Sequence, residues 1–508
     1  MESKPFCLVL LSFLVLSCFV AQTHGRRKEQ GVLHLGKSTS KPYFGVHNSL
    51  LEAIEPEDVI VTNALIPQEG SKEKDRIDRF PGHPPVNFSQ YGGYVTVNQS
   101  AGRAIFYYFA EAQQFKDTSP LLLWISGGPT CSSLGFGAMQ ELGPFRVRSD
   151  GKTLYTNEFS WNHAANVLFL ETPAGVGFSY SNTTSDYDDK MGDKAATTDS
   201  YVFLVNWLER FPEYKNRAFY ISGESYAGYY VPLLANTILR NNKKANKTII
   251  NLKGIIIGNP TINFEAERAG SFEFCSTHAL ASDRDVAGIL KYCNFSLPRE
   301  NFSDACQEVW HAALADASGI ENLNILFSYQ PSIDCAMHVN LTVPPKKVSI
   351  LNPDPCETNY VAAYMNRRDV QEALHANVTK NVPGKWDECS SRGYSDFEGS
   401  IPSVIKELMA NGLRVWIYSG DTDSIISVTS TKFTLQRMKL HVKTAWRAWF
   451  DKGEVGGFTE VYEGGLTFAT VRASGHLVPT YQPARALTLI KNFLDDTPLP
   501  DLKRSLNN

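Results

Sequence analysis

Apolar residues along this chain fall into two textures. Continuous runs occur at PLLLWIS (120–126), NVLFLE (166–171), AFYIS (218–222), GIIIGN (254–259), LRVWIYSG (413–420) and LTFATV (466–471). Runs of this kind predict strands buried on both faces of a sheet. Two alternating strands are read instead at GGYVTVN (92–98) and RAIFYYFA (103–110), joined by a turn, which predicts an antiparallel hairpin. Between the buried runs lie helical patterns, DSYVFLVNWLERF (199–211) and YVPLLANTILRNN (230–242). Buried strands alternating with amphipathic helices predict an α/β fold, a mostly parallel central sheet flanked by helices.

The texture changes over 261–385, where short helical patterns, cysteines and glycosylation sequons crowd together. This region reads as an inserted helical cap. The chain then divides into a signal peptide (1–25), a leader or propeptide-like segment (26–74), a first catalytic part (75–260), the cap (261–385) and a second catalytic part (386–508). The signal is read from the opening: Lys4, then an apolar stretch from Phe6 to Ala21, then small and polar residues. That stretch is shorter than the roughly 20 residues a spanning helix needs. The expectation is a secreted or vacuolar protein with no stable membrane insertion. Sequons at Asn87, Asn98, Asn182, Asn246, Asn294, Asn301, Asn340 and Asn377 agree with that route. PPKK at 344–347 reads as an exposed loop open to processing.

Composition narrows the function. A formal net charge of −4 and no basic stripe argue against nucleic acid. Cysteine and histidine spacings show no zinc pattern, and no phosphate-binding glycine loop follows a strand, so neither metal nor cofactor is expected. Of nine cysteines, Cys7 and Cys18 leave with the signal. The remaining seven are Cys131, Cys275, Cys293, Cys306, Cys335, Cys356 and Cys389. Most should pair in an oxidising compartment, and the odd count leaves one over.

The chemistry starts at FYISGESYAGYYVP (219–232). A buried strand, a glycine, an acid and a serine followed by small residues suit a nucleophile elbow, with Ser225 lifted clear of the sheet. Such a serine needs a base and an orienting acid, each at the end of a later strand. Asp421 and Asp423 follow the strand in VWIYSGDTDS, and His476 follows the one in FATVRASGHLVP. One of the two aspartates is expected to cap a turn instead. The oxyanion needs backbone donors. Tyr226, just after the serine, is one candidate. Gly128, in SGGPTCSS (126–133), is the other, where glycine permits close approach.

WISGGPTCSS, ELGPF, ETPAGVGFSY, GESYAG, GNP, SGDTD and GHLVP occur in that order across the chain. Together they resemble the serine carboxypeptidase family, especially the plant serine carboxypeptidase-like proteins. The resemblance implies an α/β-hydrolase fold with an inserted cap and a triad of Ser225, Asp423 and His476. It implies disulfides Cys131–Cys389, Cys293–Cys306 and Cys335–Cys356, leaving Cys275 unpaired. It also implies that Trp124, Ser126, Gly127, Glu141 and Glu224 recognise the substrate's terminal carboxylate. Two neighbouring carboxyls share protons, and a protonated one can donate to a carboxylate. An acid-favoured peptidase follows as the expected activity.

The chain departs from the family pattern around that site. Ser126 stands where the family has Asn, and Thr130 where it has Gly. Ser424 and Ser427 replace a Gly-x-x-Pro pattern after the acid. The expected function is release of C-terminal amino acids from peptides through an acyl-enzyme. The alternatives are acyl transfer from an activated ester and a catalytically weakened binding protein. The expected partner is a peptide or acyl-ester substrate, with a homodimer left open.

Overall fold

The runs read as buried strands stand side by side in one sheet. The computed structural model describes residues 65–187, 192–297, 301–316, 320–327, 354, 356–376, 384–390, 394 and 400–506. Its strands are β1 (Arg76–Ile77), β2 (Gln90–Asn98), β3 (Arg103–Ala110), β4 (Leu121–Ile125), β5 (Phe145–Val147), β6 (Leu154–Thr156) and β7 (Asn166–Leu170). They continue as β8 (Phe219–Glu224), β9 (Leu252–Gly258), β10 (Arg414–Gly420), β11 (Val442–Asp451), β12 (Glu454–Tyr462) and β13 (Leu466–Val471). Eleven form one sheet in the order β1-β2-β3-β7-β4-β8-β9-β10-β13-β12-β11, and β5 pairs with β6 alone. Every pairing from β7 through β13 in that order is parallel. The two ends of the sheet are antiparallel.

The parallel strands are buried because helices cover both faces. One apolar layer joins Leu123, Ile221 and Ile255 to the helices Asp193–Arg210 and Ala227–Lys244. The other joins Trp124, Phe169 and Ile256 to Phe493 of the helix Pro483–Leu494. Tyr360 and Tyr364 of the helix Glu357–Met365 belong to that second layer as well. This part of the expected insertion therefore joins the same apolar layer, packed against residues 133–141 and β5. Helices Phe264–Thr277, Asp283–Tyr292, Asp304–Asp316 and Arg368–Ala373, with residues 320–327, belong to the described insertion as well.

Some elements carried no readable pattern. The hairpin β11–β12 lies at the sheet's edge, and the first half of β11 is exposed on both faces, so burial imposes no periodicity on it. The segment Ser133–Glu141 forms a π-helix whose glycines break any apolar stripe. The end of the expected leader is docked: Ile66 N–H donates to Asn206 Oδ1 at 2.7 Å, and Arg210 Nη2 to Gln68 Oε1 at 2.7 Å. The expected signal peptide, residues 26–64, PPKK, Cys335, Asn340 and Asn377 lie outside the described residues. Of the other sequons, Asn87, Asn182, Asn246, Asn294 and Asn301 are exposed, and Asn98 is half-buried. No helix among the described residues is long and apolar enough to cross a membrane.

Candidate active site

β8 ends at Glu224 and the helix Ala227–Lys244 starts just beyond it, with Ser225 on the turn at φ 64°. A left-handed backbone costs a residue with a Cβ about 1–2 kcal/mol. Three hydrogen bonds hold the turn. Ser225 N–H donates to Gly258 O at 3.0 Å, and the Ser225 carbonyl accepts from Gly228 N–H at 2.9 Å and Thr261 N–H at 3.0 Å. The flanking glycines answer to space: a Cβ on Gly223 would lie 2.5 Å from Ile125 O, and one on Gly228 2.1 Å from Thr261 O.

Asp423 and His476 sit on loops after the neighbouring parallel strands β10 and β13. His476 Nδ1 and Asp423 Oδ2 are 2.7 Å apart, and Asp423 is 0% exposed. Asn259 Nδ2 donates to the same Oδ2 at 2.7 Å, while Ile425 N–H donates to Oδ1 at 2.8 Å. Asp421 takes the other role left open by the sequence. It accepts Ala473 N–H at 2.7 Å and braces the turn. Asn259 was not singled out as a site residue, although GNP was among the motifs. An amide directly after a buried strand, beside the elbow, was the available signal. It also ties the serine to the acid, since Ser225 N–H bonds Gly258 O, one residue before Asn259. No hydrogen bond links Ser225 Oγ to the histidine ring among the described residues. In resting hydrolases that bond is often long and tightens only with substrate.

The Gly127–Gly128 loop closes over the elbow. A Cβ on Gly127 would lie 2.4 Å from Tyr226 N and 2.8 Å from Ser225 Cβ. The loop therefore runs against the backbone N–H that follows the serine, at the start of a helix whose dipole favours negative charge. Gly128 has φ 115° and packs on Cys131. The disulfide Cys131–Cys389 is formed there, and Ser132 N–H donates to Glu388 O at 2.7 Å. Beneath the loop, buried Glu171 accepts from Ser132 Oγ at 2.5 Å, Leu134 N–H at 3.0 Å and Phe178 N–H at 3.1 Å.

Glu141 ends the π-helix and Glu224 ends β8; both are buried. The two carboxyls are near enough to feel each other's charge, and like charges buried this close cannot both ionise cheaply. No N–H or O–H reaches either oxygen of Glu141 or Oε2 of Glu224 among the described residues. Burial pushes Glu141 up to about 8, opposed by the Arg146 charge. Burial, and then the charge of Glu141, holds Glu224 well above the usual carboxylate range. Trp124 is wholly buried, and its indole N–H donates to Ser126 Oγ at 2.9 Å. It can act on a ligand only through Ser126, so it stands one step behind the expected recognition set. Ser126 N–H is itself taken by Ser133 Oγ at 2.9 Å.

In the insertion, Cys293–Cys306 is formed and Cys275 is a free thiol. Cys275 lines a cavity of about 330 Å³, and burial pushes its thiol up to about 11, which keeps it protonated and unreactive. Cys356 is disulfide-bonded, while its expected partner, Cys335, lies outside the described residues. No cluster of His, Cys, Asp or Glu among the described residues is arranged to hold a metal.

Known proteins extend this picture. The family model described as serine carboxypeptidase matches residues 81–496. Serine carboxypeptidase-like 40 of Arabidopsis thaliana is 50% identical over 508 residues, covering 98% of each chain. Serine carboxypeptidase 24 of the same plant is 47% identical, covering 84% of this chain and 94% of its own. The crystal structure of Kex1, a prohormone-processing carboxypeptidase from Saccharomyces cerevisiae, superimposes with a TM-score of 0.70 at 23% identity. It covers 86% of this chain and 98% of its own, and so shows the α/β-hydrolase fold. The matched span takes in the elbow, both loops that meet at Asp423 and His476, and residues 261–385: this chain belongs to the serine carboxypeptidase family.

Proposed function

We propose that this protein is a serine carboxypeptidase that releases C-terminal amino acids from peptides. The observation that carries the reading is the buried Glu141–Glu224 pair, with Glu224 directly before Ser225. A shared proton there can be donated to a substrate's terminal carboxylate, and Ser126 and Gly127 border the same loop. Ser225 Oγ attacks the last peptide carbonyl, and His476 takes its proton. Asp423 holds the ring in the tautomer that leaves its other nitrogen free to do so. Gly128 and Tyr226 N–H groups stabilise the oxyanion. His476 then returns the proton to the departing amino group, and water, deprotonated by the same ring, hydrolyses the acyl-enzyme. The pair must stay protonated to bind a carboxylate, so acidic pH favours the reaction.

The test treats the glycosylated mature protein with a fluorophosphonate, beside Ser225→Ala. Labelling lost in the variant supports a live nucleophile, and no labelling in a folded sample overturns it in favour of a binding protein. Peptides ending in a free acid should then be cleaved in preference to their amides, with a rate that falls from pH 5 to pH 8. One observation favours a second reading, acyl transfer. Ser126 is short and its oxygen is held by Trp124, which weakens its reach toward a carboxylate. Transfer from a glucose ester to an acceptor alcohol, with little peptide cleavage, would support that reading. We also propose secretion or vacuolar delivery with glycans on the exposed sequons. A mass decrease on treatment with peptide N-glycosidase would support it.

A further inference from the structure

Residues 321–327 of the insertion cross both loops that carry the acid and the base. Leu323 O accepts His476 N–H at 2.6 Å. Asn324 Oδ1 accepts Thr422 Oγ1 at 2.8 Å, and Ile325 N–H donates to Thr422 O at 3.0 Å. Asn322 O accepts Ser424 N–H at 3.2 Å and Ser424 Oγ at 2.9 Å. The residues on either side of Asp423, and His476 itself, are thus bonded to one short segment.

That segment is also self-bonded. Asn324 N–H donates to Glu321 O at 3.0 Å, Phe327 N–H to Asn324 O at 3.0 Å, and Glu321 N–H to Phe327 O at 2.9 Å. Asn324 is 1% exposed, and Phe327 stacks on Tyr481, just beyond the histidine loop. The fit leaves no slack. A Cβ on Gly475 would lie 2.0 Å from Leu323 O and 2.5 Å from Asn324 Cβ. A Cβ on Gly420 would lie 2.2 Å from Gly475 O. Three backbones are stacked with only glycine between them.

We propose that residues 322–325 are a positioning strap for the Asp423–His476 pair, so that the insertion sets the geometry of proton transfer. The strap touches neither substrate nor reacting atoms. It adds a third connection to two loops already joined directly, Thr422 N–H to Ser474 O at 2.9 Å and Ala473 N–H to Asp421 Oδ1 at 2.7 Å, and a displacement of about 1 Å in such a pair can cost about a hundredfold in rate. The inference rests on the triad reading above.

The test compares Thr422→Val, which removes the hydroxyl but keeps the shape, with Thr422→Ser, which restores it. Ser424→Ala is a second variant, at a half-buried position with little risk to folding. Two readouts are taken: the rate of Ser225 labelling with kcat and KM on a peptide, and the downfield proton resonance of the His476 Nδ1–H held by Asp423. Thr422→Val should lower labelling and kcat about tenfold with KM within about twofold, the loss of one half-buried hydrogen bond. Its imidazole resonance should broaden by faster exchange. Thr422→Ser should return both readouts to near the parent, and Ser424→Ala should lower kcat about threefold. A Thr422→Val protein with the parent's rate and resonance would overturn the strap while leaving the enzyme reading intact. A parent that neither labels nor cleaves, with a resonance that still responds to Thr422→Val, would overturn the enzyme reading and keep the strap.

Discussion

Thr130 and Ser390 are tied to each other by two hydrogen bonds, Thr130 Oγ1 to Ser390 O at 2.8 Å and Ser390 N–H to Thr130 O at 2.9 Å. They flank the Cys131–Cys389 disulfide, beside the Gly127–Gly128 loop. Thr130 sits at φ 68°, a conformation that suits the glycine it replaces. The structure keeps the strained backbone and adds a hydroxyl bond that glycine could not make. Thr130→Gly should therefore change stability by no more than about 1 kcal/mol, as relief of strain offsets the lost bond and the freer unfolded chain. Thr130→Val keeps the strain and loses the bond, and should cost about 1–2 kcal/mol. Urea unfolding of the two variants checks this. A Val variant as stable as the parent would show that the hydroxyl contributes nothing.

Asp423→Asn should lower kcat by about ten-thousandfold with the fold unchanged, because an amide at Oδ2 favours the wrong histidine tautomer. Asn259→Ala should lower it by about tenfold, since Asp423 Oδ2 then loses one of its two hydrogen-bond partners among the described residues, Asn259 Nδ2 and His476 Nδ1. Single-turnover kinetics on an ester separates these effects from product release. Equal losses in both variants would mean that Asn259 is part of the proton relay rather than a brace.

Gly127→Ala should remove at least about a hundredfold in kcat. Its Cβ has nowhere to go between Tyr226 N, Glu224 O and Ser225 Cβ. The loop must retreat, and the oxyanion loses a donor. Fluorophosphonate labelling and ester hydrolysis should fall together. Unchanged labelling would place the oxyanion donors elsewhere.

The Glu141–Glu224 pair should make stability fall as pH rises. Burial lifts Glu141 from its ordinary value of 4.5 to about 8, and Glu224 is raised as well. The folded state then holds protons that the unfolded chain has released. Stability is retained in full below about pH 4.5 and is lost as pH climbs toward about 8. Glu224→Gln removes the coupling and should flatten the dependence. Thermal midpoints measured from pH 4 to pH 8 in both proteins check it, and parallel curves would show that other groups control the alkaline limb.

Much of this protein was legible in its sequence because burial and backbone geometry write local signals. Strands enclosed on both faces must be continuously apolar, so β4, β7, β8, β9, β10 and β13 stood out. The elbow needed small residues around Ser225, so GESYAG stood out as well. By itself the residue pattern determined the fold class, the order of the catalytic parts and the candidates at Ser225 and His476. Tertiary structure decided the matters that depend on residues far apart meeting. The choice between Asp421 and Asp423 was settled as geometry only when β10 and β13 became neighbours and one carboxylate faced the ring. The bracing of Asp423 by Asn259, the bond that steadies Thr130, and the strap from the insertion had no local signature. A hydrogen bond between residues a hundred or more positions apart leaves no periodicity in either segment, and it exists only once the chain has brought them together.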